Sequence, residues 1–126
     1  FMPQKQRYKS LLIVEDDEDA LVHLEKFFTL AGYQVEIATG GLAALQILRD
    51  KRNTFQLLIS DLVMPNISGV ALITAVKKEF SDMKIIAITG YGEQIADLAL
   101  ADKAEAVFLK PLDLTGIEVF IDGIIE

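Results

Sequence analysis

The chain contains no cysteine among its 126 residues, which excludes a disulfide framework, a thiolate metal site and thiol chemistry. That absence fits a reducing compartment, and the reading is cytoplasmic. A single histidine leaves no imidazole pair to hold a metal. Basic residues are scarce as well: 12 Lys and Arg face 19 Asp and Glu, for a net charge of -7. This balance argues against direct nucleic-acid contact and admits partners with basic faces, or hard cations. No apolar run approaches the ~18–20 residues that span a bilayer, so no membrane segment is expected. The opening FMPQKQRYK is polar and basic and lacks an apolar signal core. With Phe1 ahead of Met2, residues 1–7 read as an expression remnant or disordered terminus before one domain covering 8–126. There is no P-loop, internal repeat, low-complexity tract or Pro/Gly/Ser linker.

What is present is an alternation. At 52% hydrophobic and 25% charged residues, the chain can bury one core without cross-links. Short β-like runs occur at Ser10–Val14, Gln34–Ala38, Gln56–Ser60, Lys84–Thr89 and Ala106–Leu109. The first, third and fourth are almost continuously apolar, as strands covered on both faces are. Helical spacing fills the gaps: Leu21, Leu24, Phe28 and Ala31 with Gly32 as a stop; Leu42, Leu45 and Leu48; Leu72, Ile73, Val76 and Phe80; a weaker Ile95, Leu98 and Ala99; and Ile117, Phe120, Ile121 and Ile124. Met83 and the lone His23 read as packing or solvated helix-face residues. Five strand–helix units predict an α/β protein: one doubly wound five-stranded parallel sheet of order 2-1-3-4-5 with helices on both faces.

In that order, ligands bind beyond the carboxyl ends of the strands, where the winding reverses. The first run ends in Glu15-Asp16-Asp17-Glu18-Asp19, the third in Asp61, the fourth in Thr89-Gly90 and the fifth in Lys110-Pro111. Three carboxylates (Glu15, Asp16, Asp61) crowded at one rim repel each other unless a cation sits among them. An oxygen-only set suits a hard divalent ion such as Mg²⁺, which keeps outward-facing coordination sites for phosphate oxygens. Lys110 supplies a point charge and Thr89 a hydroxyl. Asp17 is the expected N-cap of the following helix, and Glu18 and Asp19 favour its positive dipole end. Each element alone has a plainer reading, an acidic helix start or an exposed strand-end lysine. Four chemically matched residues at four ends of one sheet are not an accident.

These residues resemble the receiver domains of two-component response regulators, including the chemotaxis receivers. The motifs are the acidic pair Glu15-Asp16, the stretch DLVMPNISG from Asp61 to Gly69, Thr89-Gly90 and Lys110-Pro111, and the match runs from about Lys9 to Ile125. The resemblance implies a flavodoxin-like fold, with Asp61 as acceptor of a phosphoryl group from the phosphohistidine of a sensor histidine kinase or phosphotransfer protein. It implies Mg²⁺ held by Asp16, Asp61 and the backbone carbonyl of Val63, with Glu15 acting through water. Thr89 and Lys110 match the residues that bond the phosphoryl oxygens. A switch through Thr89 and Val107 would then alter the face of the fourth helix, fifth strand and fifth helix, Gln94–Ala101 with Asp113–Ile124. On that face an output domain, a downstream protein or a phosphorylation-dependent dimer partner would dock.

Two positions depart from the family pattern. Val107 stands three residues before Lys110, where an aromatic ring is frequent, and Phe108 next to it points to the opposite face of its strand. Lys103 stands where glycine is common, so the turn must avoid or tolerate positive φ. Val63 and Tyr91 occupy positions that tune phosphoryl lifetime in the family.

Asp61 reads as a switch that catalyses only its own phosphorylation and dephosphorylation, not as a metabolic enzyme. Two alternatives stand beside this. A pseudo-receiver would keep the fold as a docking module without the chemistry, and metal titration separates the two. An aspartyl-phosphate phosphohydrolase would carry a second Asp two residues after the nucleophile, where this chain has Val63.

Overall fold

Buried strands of alternating apolar residues position everything that follows. The structure, a computed structural model, describes residues 9–90, 93–101 and 103–125, apart from the side chains of 93–95 and 101. The expectations for residues 1–7 and for Tyr91, and the side chains of Gln94 and Ile95, lie outside these. Strands β1 (Ser10–Val14), β2 (Gln34–Ala38), β3 (Leu57–Asp61), β4 (Lys84–Thr89) and β5 (Ala106–Leu109) pair in parallel in the order β2-β1-β3-β4-β5. Helices α1 (Glu18–Leu30), α2 (Gly41–Asp50), α3 (Gly69–Glu79), α4 (Glu93–Ala101) and α5 (Leu114–Ile124) connect and follow them. The fold class is the one expected.

The period of two along each strand divides the core into two layers. Leu11, Ile13, Leu57, Ile59, Ile86 and Ile88 pack with Leu21, Leu24 and Phe28 of α1 and Ile117 and Ile121 of α5. Leu12, Val14, Leu58, Ile85 and Ala87 pack with Ala44, Leu45 and Leu48 of α2, with Leu72, Ile73 and Val76 of α3, and with Ala99 of α4. Every residue of β1 and β3 is buried, because each has a strand on both sides and helices above and below. At the sheet edge β2 is half-buried along most of its length.

Local chemistry sets the helix ends. Asp17 caps α1, its carboxylate accepting from the amides of Asp19 (3.1 Å) and Ala20 (3.4 Å). Gly32, at φ 101°, stops the helix where the spacing predicted. Ser68 caps α3 by accepting from the amide of Ala71, and Asp113 caps α5 by accepting from Gly116.

Three expectations shift. β3 runs one residue later than expected, because the amide of Leu62 still donates to the carbonyl of Ile88 at 3.0 Å. Asp61 is thus the last residue of the ladder, paired with Ile88, rather than a turn residue. Leu42 is 66% exposed: the buried arc of α2 is Gly41, Ala44, Leu45 and Leu48. These four stand at i, i+3, i+4 and i+7, which keeps them on one side, whereas repeated steps of three drift around the helix. On α4 the buried face centres on Ala99, which leaves Leu98 56% exposed one position away.

Candidate functional site

Backbone pairing carries four strand ends to one rim. The amide of Glu15 donates to Ala38 at 3.1 Å, extending β1 along β2, and that of Lys110 donates to Thr89 at 2.8 Å, extending β5 along β4. Strand alternation then points Glu15, Asp61 and Lys110 toward the α1/α5 layer. Thr89, in step with Ile85 and Ala87, points toward the α3/α4 layer. Val107, the register partner of Ala87, packs against that same layer, while Phe108 joins the other and meets Phe120 edge-on at 5.7 Å.

The centre is a carboxylate pair sharing one ammonium. Lys110 Nζ donates to Glu15 Oε1 at 2.8 Å and to Asp61 Oδ2 at 3.1 Å. The amide of Val63 donates to Asp61 Oδ1 at 3.1 Å, so both acceptor oxygens of Asp61 are held. Glu15 and Thr89 are fully buried and Asp61 is 6% exposed, whereas Asp16 lies at the surface. One carboxylate oxygen each from Glu15, Asp16 and Asp61 falls within 4.8 Å of the others.

Glycine makes this approach feasible at one point. The start of α3 packs onto the end of β3, and a Cβ on Gly69 would lie 1.9 Å from the carbonyl oxygen of Asp61 and 2.5 Å from Leu62 Cα. Neither the Gly69 contact nor the Val63 amide bond was expected from the sequence. The Ser-Gly pair that starts α3 is the visible trace of the first, while the second follows from a loop path the sequence does not disclose.

The pair divides its protons unequally. Burial, then the neighbouring Asp61 carboxylate, pushes Glu15 up to about 7, and Lys110 only partly offsets them. Burial also acts to raise Asp61, but hydrogen bonding to Glu15, the Val63 amide and Lys110 outweighs it and holds Asp61 below the usual range. Burial disfavours the charged Lys110, yet Glu15 and Asp61 together raise its pKa. At neutral pH, Asp61 is therefore the ionised nucleophile candidate and Lys110 is charged.

Glu15 Oε2 is buried without a hydrogen-bond partner. A buried carboxylate oxygen left unpaired is costly, and a proton or a cation would satisfy it. With carboxylate oxygens of Asp16 and Asp61 converging on Glu15, the residues present fit a divalent ion.

Of the predicted residues, Glu15, Asp16, Asp61 and Lys110 come together; Thr89 ends the adjacent strand. Val107 lies further down β5, in step with Ala87 rather than at the rim. The contact that Val63 makes is through its amide.

The response regulator receiver domain family matches residues 11–122, and the chain belongs to that family. The sensor kinase CckA of Brucella abortus is 29% identical over 93% of this chain, which spans 12% of that protein. The response regulator receiver protein CpdR of the same organism is 36% identical over 66% of this chain and 68% of its own length. The chain thus spans well under half the length of several curated relatives. A receiver domain from Clostridium thermocellum superposes with a TM-score of 0.88 at 25% identity, covering 93% of this chain and 94% of its own. The response regulator TrrA of Thermotoga maritima, in complex with Mg²⁺ and BeF, gives 0.82 at 26% identity over 91% and 97%. Among the described residues no helix is long and apolar enough to cross a membrane.

Proposed function

We propose that this chain is a phospho-acceptor switch of a cytoplasmic two-component system, in which Asp61 takes a phosphoryl group from a phosphohistidine on a sensor histidine kinase or phosphotransfer protein. A P–O bond forms on the Asp61 carboxylate as the P–N bond breaks, and the imidazole leaves with the electron pair. The observation that carries this reading is the arrangement of Asp61: ionised, nearly buried, and held by Lys110 at 3.1 Å and by the Val63 amide at 3.1 Å.

Phosphoryl transfer requires positioning and charge neutralisation more than covalent work by side chains. Lys110 neutralises charge on the arriving oxygens and keeps Asp61 oriented. Thr89 hydrogen-bonds the phosphoryl group from the opposite layer. Glu15, Asp16, Asp61 and the Val63 carbonyl hold Mg²⁺, and the Glu15 oxygen that lacks a partner supports this assignment. When bound, the ion supplies charge neutralisation at the phosphoryl oxygens. The acyl phosphate is itself hydrolysable, so the chain catalyses only its own modification and its loss. Drawing Thr89 toward the phosphate alters the layer that contains Val107 and α4. The face of α4, β5 and α5 then presents a changed surface to an output domain, a downstream protein or a second copy.

Incubation with a small acyl phosphate and Mg²⁺ adds one phosphoryl mass to the wild-type chain and none to Asp61→Asn. An unmodified wild type would leave a docking module that shares the fold without the chemistry.

A further inference from the structure

α1 and α4 finish on the same backbone motif with different residues at its pivot. After α1, the amide of Tyr33 donates to Phe28 at 3.1 Å and that of Gly32 to Thr29 at 3.0 Å. After α4, the amide of Ala104 donates to Ala99 at 3.1 Å and that of Lys103 to Leu100 at 3.0 Å. The pivot must adopt positive φ, and does so at 101° for Gly32 and 76° for Lys103. Glycine enters this region without steric cost, whereas a lysine Cβ crowds the following carbonyl. The other non-glycine residues with positive φ among those described are Asn53 and Asn66, a type that tolerates it. Lys103 alone of these has neither exemption.

Packing does little to offset that cost. Among the described side chains of α4 only Ala99 is buried, while Leu98 is 56% and Leu100 47% exposed. The helix is also strung between site residues: Thr89 lies shortly before it and Lys110 directly follows the strand after it. We propose that Lys103 is a weak C-terminal cap that lowers the local stability of α4 and thereby sets how readily this helix yields when Asp61 is modified. The regulatory half of this proposal rests on the function proposed above.

The test compares Lys103→Gly, which removes the crowding, with Lys103→Ala, which removes the charge but keeps the Cβ. By amide hydrogen exchange, Lys103→Gly raises protection in the second half of α4 and at Ala104 roughly fivefold, leaving α1 unchanged. Lys103→Ala stays within twofold of wild type. In Mg²⁺–beryllofluoride titrations, Lys103→Gly needs several-fold more of the mimic for half-saturation. Equal protection in wild type and Lys103→Gly, a uniform rise throughout the chain, or an equal rise in Lys103→Ala would overturn the cap. Raised protection with unchanged half-saturation would overturn its regulatory role. If the wild type fails to bind the mimic, the proposed function fails, while the exchange comparison still decides the cap.

Discussion

α1 buries Leu21, Leu24 and Phe28 in the core layer it shares with α5 and closes on Gly32, whereas α4 sets Ala99 into the opposite layer and closes on Lys103. Under the function proposed above, the two helices serve different ends of the same event. α1 follows directly on the acidic rim, and its cap Asp17 adjoins Asp16. Fixing α1 fixes the backbone that carries Glu15 and Asp16. α4 follows Thr89 and carries exposed leucines. A receiver needs rigid acids to position a phosphoryl group and a yielding element to report its arrival. Under the function and the cap proposed above, strong and weak anchoring of two helices on one sheet would supply both, and local stability is uneven by the same means in many proteins.

The harshest way to break this contrast is Phe28→Ala. Phe28 is fully buried, stacked edge-on to Phe27 at 5.1 Å and to Tyr33 at 6.0 Å. Its truncation costs about 3–5 kcal/mol in denaturant unfolding. A loss below about 1 kcal/mol would mean that α1 is no better anchored than α4.

The rim ahead of α1 offers a sharper probe. Glu15 is raised from 4.5 to about 7, so between those values the folded state binds more protons than the unfolded. Metal-free stability therefore falls as pH rises through that window. A cation must displace the proton, so Mg²⁺ affinity climbs with pH by up to about tenfold per unit and levels off above about 7. Calorimetric titration across that range reads the slope, and Glu15→Gln flattens it. A pH-independent affinity in the wild type would place the ion away from Glu15.

The smallest of these effects is at the cap of α1. Gly32→Ala forces a Cβ into positive φ and costs about 1–2 kcal/mol. Its amide-exchange signature is loss of protection in the last turn of α1, the mirror image of Lys103→Gly in α4. Unchanged exchange there would show that positive φ carries no penalty at these turns.

Much of this was legible in the residues. The β-like runs located β1, β2, β4 and β5 to the residue, and the near-continuous apolar character of β1 and β4 marked them as strands covered on both faces. Asp17 marked the start of α1 by its capping carboxylate and Gly32 its end by the freedom to adopt positive φ. The acids and Lys110 could be placed at one rim from strand order alone, since parallel pairing brings all carboxyl ends to the same edge. What stayed hidden depends on tertiary contacts. Leu42 reads as core by spacing, but the buried arc of α2 runs through Gly41, which lies close against Ile67. The crowding at Gly69 and the amide of Val63 on Asp61 require the path of the β3–α3 loop, which no periodicity encodes. The turn at Lys103 was visible as a question about φ, and the backbone answered it at 76°.

The central claim is that one carboxylate, Asp61, receives the phosphoryl group. Treating the acyl-phosphate-incubated, Mg²⁺-loaded protein with borohydride reduces an aspartyl phosphate to homoserine, and peptide mapping then locates it. The account predicts the change at Asp61 alone. Recovery of the mark at Asp16 or Glu15 with Asp61 intact would contradict it.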